Sequence, residues 1–176
     1  MRLLSYFSAP FFTLAIWWSP LVIPASQAQE PTKITVKGLD QSQSYTVAEL
    51  GSLPHNTVNI TEKDGAPVAC EGVALVELLQ RVGAPLGQAL KGEALRLGVV
   101  VKASDGYEAL FSLAELDPAT GGRKAFLVYQ ANGKPLTPPV GPLRVIVPAD
   151  QRHARWVRMV KEIEVMKISS QELKKE

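Results

Sequence analysis

Two tight-turn dipeptides constrain this chain most: Asp105-Gly106 and Asn132-Gly133 each follow an apolar, β-branched run, where such pairs turn a strand back on itself. Leu95 to Ala103 therefore reads as a buried strand that Asp105-Gly106 returns into Tyr107 to Leu113. Ala125 to Ala131 reads as a strand ended by Asn132-Gly133. Alternation of polar and apolar residues predicts further strands over 32–38 and 163–168, and two more are expected at Thr57 to Thr61 and between Gly141 and Pro148. Helices are fewer. Thr46 stands three residues before Glu49 in a capping pattern, with Pro54 closing that segment. Val73 to Val82 carries apolar residues at helical spacing until Gly83 and Pro85 stop it. Strands outnumber helices and do not alternate regularly with them, so the predicted class is α+β with mixed sheets.

The first 28 residues have the form of an export signal. Arg2 supplies a positive start, Phe11 to Ile23 is largely apolar, and Ser26-Gln27-Ala28 fits a small-x-small cleavage pattern. Pro10, Pro20 and Pro24 interrupt the apolar stretch, which argues against a retained membrane anchor. Cleavage after Ala28 leaves 148 residues, read as one domain over 29–168 and a polar tail over 169–176. The expected location is extracytoplasmic, with no membrane span after cleavage. One cysteine, Cys70, excludes an intramolecular disulfide. Without Arg2 the chain has 18 Lys+Arg against 17 Asp+Glu, a balance that gives no support for nucleic acid as a partner.

Trp156 is the only tryptophan after residue 28, and it lies in the basic stretch Asp150-Gln151-Arg152-His153-Ala154-Arg155-Trp156-Val157-Arg158. A flat aromatic among guanidinium groups suits a planar, polar or anionic ligand, because the ring stacks while the arginines donate hydrogen bonds. The same pattern also describes a core indole beside a solvated turn. Tyr107, just after the Asp105-Gly106 turn, is either a half-buried turn residue or a hydroxyl pointing toward Trp156. His55 and His153 are far apart in sequence, and with one cysteine they form no metal-ligand cluster of useful spacing. Cys70 reads either as a small buried apolar group or as a nucleophile or metal ligand.

Five segments taken in order, Glu71 to Leu79, Asp105 to Leu113, Asn132 to Leu136, Gly141 to Pro148, and Arg155 to Arg158 with Ile163 to Val165, resemble the molybdopterin-binding domain of the sulfite oxidase family. The resemblance implies a sulfite oxidase-like fold with a pterin-binding cleft. It also implies an active-site tyrosine at Tyr107 and a pterin-holding stretch at Arg155, Trp156 and Arg158. The family's molybdenum-ligating cysteine belongs well upstream of Gly72, where this chain reads Val58-Asn59-Ile60-Thr61-Glu62-Lys63-Asp64. In that respect the chain is similar to small exported PruR-type pterin-binding proteins, which lack that cysteine. The expectation is thus a non-enzymatic, periplasmic binder of a reduced, metal-free pterin, acting on the periplasmic domain of a membrane-bound diguanylate cyclase/phosphodiesterase. Trp156 would stack on the ring, with Arg155 and Arg152 or Arg158 bonding its oxygens, Tyr107 with Asp105 or Asp150 completing the rim, and Glu62 as another candidate carboxylate. The alternative is a small molybdopterin-dependent oxidoreductase with Cys70 as metal ligand.

Overall fold

The computed structural model describes residues 32–62 and 65–169. The expected export signal over 1–28 and residues 170–176 of the expected polar tail lie outside the described residues. Two five-stranded sheets make up the domain. The first runs β2 (Ser42–Thr46), β1 (Lys33–Lys37), β10 (Val160–Lys167), β5 (Leu97–Ala103), β6 (Glu108–Ser112), with β1 parallel to β10 and the other pairs antiparallel. The second runs β3 (Asn56–Thr61), β4 (Pro67–Ala74), β7 (Phe126–Ala131), β8 (Lys134–Pro135), and β9 (Arg144–Ile146) also pairs with β7. One hydrophobic cluster draws on both sheets, through Ile34, Val99, Val101 and Ile163 of the first and Val73, Leu127, Val145 and Ile146 of the second. The domain is α+β, its first sheet mixed and its second antiparallel.

Local signals explain several elements. Helix α1 (Val47–Ser52) opens on a reciprocal capping box: Glu49 N–H donates to Thr46 Oγ1 at 3.2 Å, and Thr46 N–H donates to Glu49 Oε2 at 2.7 Å. The β5–β6 hairpin forms around Asp105-Gly106, with Gly106 at φ +89°. Asn132 and Gly133 both take positive φ, 48° and 72°, as a two-residue turn between twisted strands requires.

Other elements depart from the sequence expectation. The stretch from Val73 to Val82 is not one helix. Val73 and Ala74 complete β4 and pair with Leu127 and Phe126, and helix α2 covers only Leu75–Arg81. The reason is tertiary: a Cβ on Gly72 would lie 2.5 Å from the Leu127 carbonyl oxygen, so the strand approaches β7 more closely than any other residue would allow. Leu113 leaves the hairpin to start helix α3 (Leu113–Leu116), capped by Ser112 and Glu115. Strand β2, rich in Ser and Gln, has no apolar alternation to announce it.

Candidate functional site

Residues 147–159 form a loop between β9 and β10. Its base is closed by Val145 N–H donating to Val157 O at 2.8 Å and Val160 N–H donating to Leu143 O at 3.0 Å. Inside the loop, His153–Arg155 makes one 3-10 turn. The basic stretch is therefore held at a fixed place by two strands, and its side chains divide into two groups.

Arg155 and Asp150 are bonded to each other. Arg155 donates from Nε to Asp150 Oδ2 at 3.0 Å and from Nη2 to Asp150 Oδ1 at 2.8 Å, while Nη1 reaches Glu115 Oε1 at 3.0 Å. Its guanidinium also lies 4.7 Å over the Phe111 ring. The hydrogen bond to Asp150 is the largest influence holding Arg155 in its charged form. Asp150 accepts a further bond from Arg123 at 3.0 Å. The structure thus places Arg155 and Asp150, both expected at the ligand, in a network that ties the loop to α3 and to Arg123 and engages three of the five Arg155 N–H donors.

Trp156 is only 6 % exposed, its Nε1–H donates to the Val147 carbonyl at 3.0 Å, and it belongs to the core cluster. The expected open stacking face is covered. His153 lies over it with ring centroids 3.6 Å apart and planes within 10° of parallel. The guanidinium carbon of Arg144 also stands 5.2 Å from the indole centroid.

Two cavities meet at this stacked pair. One, of about 610 Å³, is lined by Glu62, Arg144, Arg152, His153, Trp156 and Arg158 among others. The other, of about 250 Å³, is lined by Asp105, Tyr107, His153, Ala154, Trp156 and Arg158. His153, Ala154, Trp156 and Arg158 line both, so the imidazole stands where the two spaces adjoin. The structure thus gathers Tyr107, Asp105, Arg152, Arg158 and Glu62 around Trp156. Tyr107 is half exposed and its hydroxyl donates to Ala154 O at 2.6 Å, while Asp105 Oδ1 accepts from Tyr107 N–H at 3.0 Å. A groove of about 640 Å³ along β3, lined by Asn56–Asn59 and Gly121 to Lys124, shares no residue with either cavity.

The fold of these residues finds its counterpart in known proteins. The model of the oxidoreductase molybdopterin binding domain matches residues 21–174. The chain belongs to that family. Among solved structures, the sulfane dehydrogenase SoxCD from Paracoccus pantotrophus is similar in fold, with a TM-score of 0.58 and 18 % sequence identity. The match covers 80 % of this chain and 40 % of that one, so the chain spans less than half the length of the dehydrogenase chain. Among curated proteins, none matches this chain.

Membership of the molybdopterin-binding domain family implies a pterin-type ligand or cofactor, and the donor set tests which part of it fits. Cys70 lies in β4, 2 % exposed, at the floor of a third cavity of about 460 Å³ that also involves Glu62 and Arg144. Burial pushes its thiol above the ordinary range, an effect that Arg144 partly offsets. A metal ligand must be a thiolate, and the burial of Cys70 works against that form. Among the described residues no group of three or more His, Cys, Asp or Glu side chains could hold a metal ion. The aromatic and cationic groups around Trp156 suit a pterin, and Cys70 is the one thiol among the described residues that could meet a metal carried on it.

Arg144 is the residue that the sequence reading missed. It is 6 % exposed, lies on β9, donates to Glu62 Oε1 at 2.6 Å, and lines both the Trp156 cavity and the cavity above Cys70. A lone charged residue within the apolar run Leu143 to Val147 was the available signal.

Proposed function

We propose that this protein is a periplasmic binder of a reduced pterin and relays pterin availability to a membrane-bound diguanylate cyclase/phosphodiesterase through that enzyme's periplasmic domain, without catalysing a reaction itself. The observation that carries the binding reading is the stacked pair at the junction of two cavities. A planar heterocycle that replaces the His153 imidazole on Trp156 gains the same ring contact and joins the two spaces into one cleft. Arg152 and Arg158 then flank the ring as donors, and Tyr107 with Asp105 forms the rim on the hairpin side.

Stacking with two or three charge-assisted bonds supports micromolar affinity, on the order of 8 kcal/mol. The relay reading rests on the resemblance to small exported pterin binders. A protein without chemistry acts on a partner only through a difference in affinity between its loaded and empty states.

Mass spectrometry of small molecules copurifying under anaerobic conditions, with metal analysis of the same sample, tests the binding reading. A reduced pterin without stoichiometric molybdenum is expected. One molybdenum per chain, lost in Cys70→Ser, overturns it. For the relay, pull-downs from membranes with and without pterin should recover the cyclase/phosphodiesterase unequally, and equal recovery removes the signalling role.

A further inference from the structure

A guanidinium carries five N–H donors, and among the described residues that of Arg144 meets one acceptor, Glu62 Oε1 at 2.6 Å. Its Nε is buried with no partner at all. A charged group so far withdrawn from water and so incompletely bonded is costly, and the cost falls when an incoming oxygen supplies the missing acceptor. Arg144 stands on the wall of the Trp156 cavity and 5.2 Å from the indole centroid, so that oxygen arrives with whatever lies against Trp156.

The charge of the pair decides what kind of ligand edge fits. Glu62 neutralises Arg144, so the two together offer no net charge for an anion to balance. They instead present a carboxylate acceptor beside guanidinium donors, and Glu62 Oε2 has no partner among the described residues. We infer that Glu62 and Arg144 together read a neutral 2-amino-4-oxopyrimidine edge. The carboxylate accepts from the 2-amino group and the ring N3–H, and the guanidinium donates to the 4-oxo oxygen. The inference rests on the pterin reading above and goes further, because it makes the pair the selector between pteridines that stack equally well. A 2,4-dioxo edge sets a carbonyl against the Glu62 carboxylate. A 2,4-diamino edge sets an amino group against the Arg144 guanidinium and a ring N3 without its hydrogen against the Glu62 carboxylate. Each substitution opposes like groups across the pair and leaves buried groups unpaired.

The test compares 6-methyltetrahydropterin with its 2,4-dioxo and 2,4-diamino counterparts by anaerobic calorimetry. The wild-type protein is expected to prefer the pterin by at least ~10-fold over each counterpart. Glu62→Gln should remove the preference over the dioxo compound, because an amide can donate as well as accept. Arg144→Met should reduce the preference over the diamino compound, leaving the part that comes from N3 facing Glu62, with melting temperatures checked for both variants. Should Arg144→Met not fold, Glu62→Gln alone decides, since Glu62 is partly exposed and its amide is nearly isosteric. Equal binding of all three compounds by the wild type, or an unchanged preference in Glu62→Gln, overturns the edge-reading role while leaving the pterin site standing. No binding of any of the three overturns the pterin site and the edge-reading role with it.

Discussion

The imidazole centroid of His153 lies 3.6 Å from that of the Trp156 indole, with the rings within 10° of parallel, His153 opening a 3-10 turn and Trp156 capping its end. This contact occupies the surface on which a planar ligand would stack, so it competes with binding. His153→Ala should tighten binding of 6-methyltetrahydropterin by about 2- to 10-fold, the worth of one aromatic pair. In protein lacking residues 1–28, where Trp156 is the sole tryptophan, acrylamide should also quench its emission more strongly. Weaker binding in His153→Ala would instead place the imidazole inside the ligand's own stack.

Trp156 serves the core as well as the cleft, and the two roles separate by substitution. Trp156→Ala should lower unfolding free energy in denaturant titrations by about 3–5 kcal/mol, because a nearly buried ring is lost along with the hydrogen bond to Val147. Trp156→Phe keeps most of the volume and should cost less stability while still weakening pterin binding. A small stability loss in Trp156→Ala would contradict the burial.

Asp117 anchors the turn after α3: Oδ1 accepts from Gly87 N–H at 2.8 Å, and Oδ2 accepts from Ala119 N–H and from Thr120 Oγ1. The Gly87 backbone bond is the chief reason its carboxyl titrates below its ordinary value of 3.8. A depressed carboxylate stabilises the fold above the unfolded value and loses that contribution as pH falls through the folded one. Asp117→Asn should therefore be less stable than wild type at pH 7, and the gap should narrow as pH drops below about 4. A gap independent of pH between 7 and 2.5 would show that the carboxylate charge contributes nothing.

Cys70 should resist alkylation. Burial raises its pKa and closes off the sulfur, so reaction with a charged thiol reagent at pH 8 should be slower by at least ~10-fold in the native protein than in urea. Equal rates would restore Cys70 as an accessible ligand candidate.

Much of the fold is local and could be read from sequence. The Asp105-Gly106 and Asn132-Gly133 turns and the Thr46–Glu49 capping box depend on neighbours within a few residues. Strand β4 was hidden because Val73 also fits the helical spacing of Val76 and Leu79, and its pairing with distant β7, which Gly72 lets approach closely, assigns Val73 and Ala74 to the sheet. The site was legible as a region and less so by residue. Arg155 and Arg158 look alike in the sequence, yet Glu115, forty residues upstream, helps take Arg155 out of the cleft. Arg144 passed as a strand residue because its partner Glu62 lies 82 positions away.

The bond from Tyr107 to the loop ends on the Ala154 main-chain oxygen, not on a side chain. Side chains at 152–154 can therefore be exchanged for others without losing this bond to the β5–β6 hairpin, which needs only the phenolic hydroxyl from the other side. Such an arrangement lets ligand preference drift during evolution while the loop stays moored. It also makes Tyr107→Phe the conservative change that would remove this bond while the Ser104 N–H bond to Met159 O remains.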